Sequence, residues 1–416
     1  MTNTLRILIF LLIWGMALGS PVFGQLIVGQ YEEEAPLGTW NAPGALSAAA
    51  LGMGGTATAL AFDTTCLVAN PALLTRLPRF STAVSGSRTS AALFRYGLVN
   101  TGVLDTYENP VAARNSLDFA GFSFRAGGWT AGFSVHSGEC YDRPPVDYSY
   151  QFEGRPLYNL KDRQSGFLRI GTFGLARRLG PSIGAGLTLH VAQGTLEREF
   201  EEQWIYSNVR ITDERNRRFE GFSMTAGMTY DATRSLTLAL VASPPSTLNA
   251  RNRSLLRYEA PLGRTDIRIA ADAEDKIRRP WRAGAGAAFT PSSVFRLAAE
   301  IAVAGWSAYR IRSFGESLER SFRNTMTVRL GGEYRISQRI FGRSVFIPLR
   351  AGAFLDPQPM REPRSTYGHL TLGSGLESGP FRAAFAFSIG RERGSGHSLS
   401  VARGALSLGY EWGDGR

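Results

Sequence analysis

The chain has 416 residues, a formal net charge of +11, 47 glycines, 11% aromatic and 19% charged residues, and a mean hydropathy of −0.11. Low charge with high glycine fits strands that are apolar on one face only, in one large barrel rather than in roughly two or three soluble domains. Lysine occurs only at Lys161 and Lys276, so arginine carries the basic excess; in an exported chain this points to anionic lipid headgroups or a charged lumen rather than nucleic acid, or reflects a genome-wide arginine bias.

At the N-terminus, Arg6 precedes an apolar run from Ile7 to Leu18, then Ser20-Pro21 and the exit Val22-Phe23-Gly24. That is the layout of a cleaved signal peptide over residues 1–24, and it sends the chain out of the cytosol. Beyond it no stretch reaches the roughly 18 apolar residues of a spanning helix. The other architecture that pairs every backbone group within hydrocarbon is a closed β-barrel.

Residues 25–79 lack strand alternation. They carry Gly52, Gly54 and Gly55 in the run Leu51 to Ala59, then Asp63, then Asn70-Pro71-Ala72. Asn70 is suited to cap a helix opened by Pro71, with Leu73, Leu74 and Leu77 on its oily side. The glycines permit close packing or positive φ, so the segment suits a compact plug inside a barrel. Cys66 and Cys140 fall in distant parts of this reading and are expected to remain unbridged.

From residue 80 onward, period-two segments follow one another. Ile183, Ala185, Leu187, Leu189 and Val191 form an oily face against Gly184, Gly186, Thr188, His190 and Ala192. Phe222 to Tyr230, Phe295 to Val303, Met326 to Leu330, Phe381 to Ile389 and Leu406 to Trp412 repeat the pattern. Long connections are expected at 99–114, 139–164, 206–218, 259–280, 311–322, 356–364 and 391–398, and tight ones at Ala126-Gly127-Gly128, Gly180-Pro181, Asp231 to Thr233, Thr290 to Ser292, Ser337 to Arg343 and Ser378-Gly379. The alternation predicts an all-β fold, a transmembrane antiparallel barrel of about 14 strands over 80–416, provided 234–258 is one strand. The hatch would fill its lumen.

The Gly52 to Gly55 run, Asp63 and Asn70-Pro71-Ala72 resemble the N-terminal hatch of the FadL/TodX family of outer-membrane transporters for long-chain fatty acids and other hydrophobic compounds. The resemblance continues at Pro280 to Gly286, Trp306 to Tyr309, Val328 to Tyr334, Leu349 to Gly352, Pro357 to Pro359 and Thr371 to Gly375. It implies a barrel in the outer membrane of a Gram-negative bacterium, in contact with outer-membrane lipids and lipopolysaccharide, that passes hydrophobic molecules without an energy source. It also implies release through a lateral opening near the third strand, placed at Gly128 to His136. An alternative within the resemblance is an interaction protein of the PorV type, holding secreted protein cargo or partners. The segment 139–164, with Tyr141, Pro144, Pro145, Tyr148 and Tyr150, suits ligand capture or protein docking.

The inward phase of the later strands collects Arg282, Arg296, Glu300, Arg329, Glu333, Arg335, Arg350, His369 and Arg382. Arginine in a poorly hydrated lumen is able to hold a carboxylate bidentately. Equally, these charges are able to pair with one another and fill a polar interior. His136, His190, His369 and His397 form no His-Glu-x-x-His pair, and no phosphate loop or nucleophile elbow stands out, so neither enzyme chemistry nor a cofactor or metal is expected.

Overall fold

The alternating segments close into one antiparallel ring of fourteen strands. The computed structural model describes residues 43–98, 104–260, 267–313, 316–318, 322–340, 343–359, 361, 364–394 and 400–413. The expected signal peptide and the first part of the hatch, residues 1–42, lie outside them.

The strands are β1 (Phe80–Leu98), β2 (Leu104–Ala126), β3 (Trp129–Cys140 and Arg143–Phe152), β4 (Arg155–Arg178) and β5 (Ile183–Trp204). Next come β6 (Val209–Asp231), β7 (Leu236–Ser243 and Ser246–Glu259), β8 (Ile267–Arg279 and Arg282–Phe289) and β9 (Phe295–Ala304 and Arg310–Ser313). The ring continues through β10 (Glu316–Leu318 and Thr325–Ile340), β11 (Arg343–Pro357), β12 (Thr366–Ser378), β13 (Phe381–Arg393) and β14 (Ser400–Trp412). Closure is by β1 on β14, from Phe80 opposite Trp412 to Ala91 opposite Val401.

Residue pattern explains which face points where. Leu187 and Val191 are 46% and 53% exposed on the outside, whereas Thr188 and His190 between them are buried inside. Because only one face meets hydrocarbon, alternation is strict exactly where the wall crosses the membrane. Near the short turns the outward residues are aromatic: Phe124, Trp129, Tyr230, Phe289, Tyr334, Phe381 and Trp412.

The stretches expected as long connections are largely strand. Val209 already lies opposite Trp204, and β3 joins β4 by a tight turn at Glu153-Gly154 with φ of 50° and 72°. That pair of positive φ values is the backbone form of a primed hairpin turn. Beyond the apolar band β5 presents Gln193, Glu197 and Glu199 outward, so the hydrophobic period disappears while the hydrogen-bond ladder goes on. The stretch 234–258 is interrupted at Pro244-Pro245, yet both halves pair with β6, Ala242 opposite Ala226 and Thr247 opposite Phe222. It therefore counts as one strand.

Candidate functional site

The N-terminal segment contacts the inward side of all fourteen strands. Two short helices, α1 (Ala48–Gly52) and α2 (Cys66–Ala69), and a 3-10 helix at Pro71–Arg76 give it shape. Asn70 caps the last of these, its side-chain oxygen accepting from Ala72 N–H at 3.1 Å while its amide donates to Thr58 O at 2.8 Å. Asp63 is buried, accepting from Ser47 Oγ at 2.7 Å and from Thr65 N–H at 2.8 Å. The residues singled out in the segment are thus mostly tied to its own backbone and turns. No disulfide joins Cys66 and Cys140.

The segment fits because wall positions facing it lack side chains. Cβ atoms added at Gly331 and Gly352 would overlap the Met53 carbonyl and the Gly54 amide, and one at Gly227 would overlap Asn70. Gly54 itself has φ of 69° and donates its N–H to Thr371 Oγ1 at 3.0 Å. Close approach there requires both glycine partners. Opposite, Ala57 and Thr58 N–H groups donate to Glu300 Oε2 at 3.0 and 2.9 Å, and Arg403 donates to Ala45 O at 3.1 Å.

Between this segment and the wall lies a cavity of about 250 Å³. Ala57, Val68 and Ala69 form its floor; Ile170, Val241 and Ala302 give it an oily part of the wall; His136, Glu139, His190, Arg279, Arg282, Glu300 and Arg329 bring polar and charged groups. Above it, Trp306, Tyr309 and Phe322 pack with Tyr141, Leu168 and Phe219 into an apolar cluster. A strut crosses the lumen at this level: Arg279 of β8 pairs with Glu139 of β3, whose other oxygen accepts from the Tyr141 hydroxyl at 2.9 Å.

A closed barrel whose inner segment touches every strand is the setting in which the sequence pattern defining the BamG family matches, over residues 37–376. The chain belongs to the BamG family, a FadL-like family of the outer membrane. No curated protein is a match. Among solved structures, CymD, a monoaromatic hydrocarbon channel, is 16% identical with a TM-score of 0.61, covering 89% of this chain and 98% of that one. The toluene transporter TodX of Pseudomonas putida is 13% identical with a TM-score of 0.63 over 87% and 97% of the two chains. A FadL homologue from Pseudomonas aeruginosa is 13% identical, TM-score 0.62, over 88% and 98%. At such identities these similarities establish the fold.

In this BamG-family barrel the charged residues gathered on the inward phase do not form one site. Arg282, Glu300 and Arg329 line the cavity. Arg296, Glu333, Arg335, Arg350 and Arg382 join a network nearer the short turns, where Glu333 meets Arg350 at 2.7 Å, Arg335 at 2.8 Å and Arg296 at 3.5 Å. Glu377 then links Arg335 and Arg350 to Arg382, at 3.3, 3.7 and 2.8 Å, and Arg382 reaches Glu411 at 2.6 Å. His369, also on the inward phase, stacks on Phe354. Within the cavity Arg329 is paired with Glu300 at 2.5 Å, whereas Arg282 has no hydrogen-bonding or ion-pair partner among the described residues and is exposed to the cavity.

The third strand of the BamG-family chain, near which an opening was expected, has a complete ladder over Trp129 to His136. Just beyond it Ser137 to Cys140 have no β2 partner among the described residues, and the register with β4 shifts between Ser137 and Glu139. The β2–β3 ladder ends at Phe119 opposite His136, and the fully buried Phe119 packs inside that corner against Leu46, Ala83 and Val68. A further break lies between β7 and β8. Ser243 pairs with Arg282 and Ser246 with Arg279, leaving Pro244-Pro245 to face Pro280-Trp281 without a ladder. Next to it β9 gives way to the 3-10 turn Trp306–Ala308. Pro244 is exposed and also lines the cavity, so the wall there is one residue thick.

Sequence reading missed this row of breaks, although Pro244, Pro245 and Pro280 were its signal. Proline has no N–H to give a ladder, and three of them on neighbouring strands leave a gap.

Proposed function

We propose that the protein is an outer-membrane channel for passive entry of hydrophobic molecules, in which residues 25–79 are the hatch, 80–416 the barrel, and 1–24 a cleaved signal peptide. The observation that carries this reading is the cavity between the inner segment and the wall, part oily and part polar, with one unpaired arginine and a proline break beside it. An apolar cavity of about 150 Å³ accommodates benzene, so this one suits a single small ring compound or part of an acyl chain. A long-chain fatty acid would extend through the break. Arg282 would hold an anionic end by charge-assisted hydrogen bonds, and the ligand would leave sideways past Pro244 and Pro280.

The alternative, a barrel that holds a protein partner, draws on the aromatic cluster of Tyr150 stacked on Tyr158, with Trp204 tilted against it, ring centroids 5.2 and 5.3 Å apart, far from the short turns. Uptake of radiolabelled toluene, benzoate and fatty acids of graded length into cells with and without the protein separates the two. Protein-dependent uptake supports the channel. Equal uptake in both strains, together with a stoichiometric protein partner on purification, would replace it with the second reading.

A further inference from the structure

The outer surface carries four cations where a stable sheet would avoid them. On β8 and β9, Lys276 lies directly opposite Arg312 and Arg278 directly opposite Arg310, and all four side chains are exposed. Directly opposed side chains of an antiparallel pair stand about 5 Å apart at Cβ, and like charges so placed destabilise the sheet. The flanking ladder partners supply no relief: Lys276 faces Asn249, Arg278 faces Thr247 and Arg312 faces Ser317. The adjacent Glu274 lies opposite Arg251. Among the described residues Lys276, Arg278 and Arg312 have no carboxylate at ion-pair distance. Arg310 is braced from beneath, its guanidinium donating to Ser307 O and Tyr309 O at 2.9 and 2.8 Å.

The location says what would neutralise them. Along β9 the outward residues run Phe295, Leu297, Ala299, Ile301 and Val303, and the next outward positions beyond the break are Arg310 and Arg312. Along β8 they run Phe289, Ala287 and Ala285, then, past a half-exposed Trp281, Arg278 and Lys276. The apolar band therefore ends on both strands immediately below the four cations, at the level of lipid headgroups, with an interfacial tryptophan at its rim.

We propose that Lys276, Arg278, Arg310 and Arg312 form a docking site on the barrel wall for the phosphate groups of lipid A, the anionic lipid of the outer leaflet. Guanidinium forks bind phosphate bidentately and lysine adds a point charge, so two facing pairs match a phosphorylated sugar headgroup better than a diffuse anionic surface. This rests on the outer-membrane part of the proposed function and not on any transported substrate. Lipid held there would also lie beside the break at Pro280.

The test is native mass spectrometry of the delipidated, detergent-purified full chain equilibrated with hexa-acylated lipid A or with its dephosphorylated form. The wild type is expected to retain lipid A, and the Lys276→Gln/Arg278→Gln/Arg312→Gln variant to retain at least tenfold less, with dephosphorylated lipid A at the variant's level for both proteins. Equal retention by the variant, or equal binding of the dephosphorylated lipid, would overturn the site. Heat-modifiable gel mobility reports folding; if the triple variant fails it, Lys276→Gln alone is read, with at least a threefold loss expected and no loss counting against the proposal. Cell fractionation separately tests outer-membrane placement, and substrate uptake shares no step with the lipid measurement.

Discussion

Glu300 and Arg329 meet at 2.5 Å on neighbouring strands, and the second carboxylate oxygen of Glu300 accepts the backbone N–H groups of Ala57 and Thr58. One buried carboxylate thus fastens the inner segment to the wall and balances a cation beside the cavity. Both residues would be poor choices for holding a transported anion, because their charges are already spent on each other.

Replacing Glu300 by glutamine should loosen that fastening. The Arg329 charge would lose its partner in a poorly hydrated place, at a cost of about 3 kcal/mol, and one amide acceptor would weaken. Limited proteolysis of the folded variant should cut within residues 43–60 faster than in the wild type, and single-channel conductance should rise. Unchanged protease resistance and conductance would show that the segment is held by packing alone.

A second expectation concerns backbone approach. Gly331→Ala places a methyl into the Met53 carbonyl, whereas Gly404→Ala meets nothing within 4 Å. Overpacking of this kind costs about 1–3 kcal/mol. The first variant should therefore form a heat-modifiable barrel that leaks large antibiotics, and the second should behave as wild type. Equal antibiotic sensitivity in the two strains would remove the close fit as the cause of occlusion.

These glycines also show how far the sequence was legible. The strands from Ile183 to Val191 and from Phe381 to Ile389 were readable because each has one face in hydrocarbon. The upper parts of β5 and β6 were not, since Glu197, Glu199 and Arg218 face water outside and the period vanishes. The motifs at Gly331, Gly352 and Gly373 were recognisable as strings. Their physical role, clearance for residues 52–54, depends on which distant backbone passes by, and one sequence does not carry that. Inward phase correctly gathered the charged residues, but phase alone gives no height along the barrel, so the network around Glu333 and the cavity around Arg282 looked like one set.

Separating those two sets gives a binding prediction. Arg282→Gln should weaken binding of a fluorescent fatty acid about tenfold, the loss of roughly 1.4 kcal/mol from one charge-assisted contact, while leaving the corresponding fatty alcohol unaffected. Arg382→Gln, at the far end of the Glu333 network, should leave both affinities as they are. Isothermal titration on detergent-purified protein reads each, and an equal loss for acid and alcohol would mean that Arg282 shapes the cavity rather than holding an anion.

The break at Pro244, Pro245 and Pro280 gives the most direct test of the exit. Its ladder is missing for a chemical reason, since none of the three residues has an N–H, and the flanking pairs Ser243 with Arg282 and Ser246 with Arg279 are already in place on either side. Substituting Pro244→Val, Pro245→Thr and Pro280→Val restores three donors and strand-forming side chains, so the ladder should zip through the gap. Pro244 and Pro280 border the cavity, but Arg282, Ile170, Val241 and Ala302 would be untouched. Ligand affinity in detergent should then stay within twofold of wild type while uptake by cells falls by at least tenfold, a combination that loss of binding does not produce. Amide hydrogen exchange at 243–246 and 279–282 should slow, confirming that the gap has closed. Slowed exchange with undiminished uptake would place the exit elsewhere, with the corner above Phe119 and His136 the next wall position to seal.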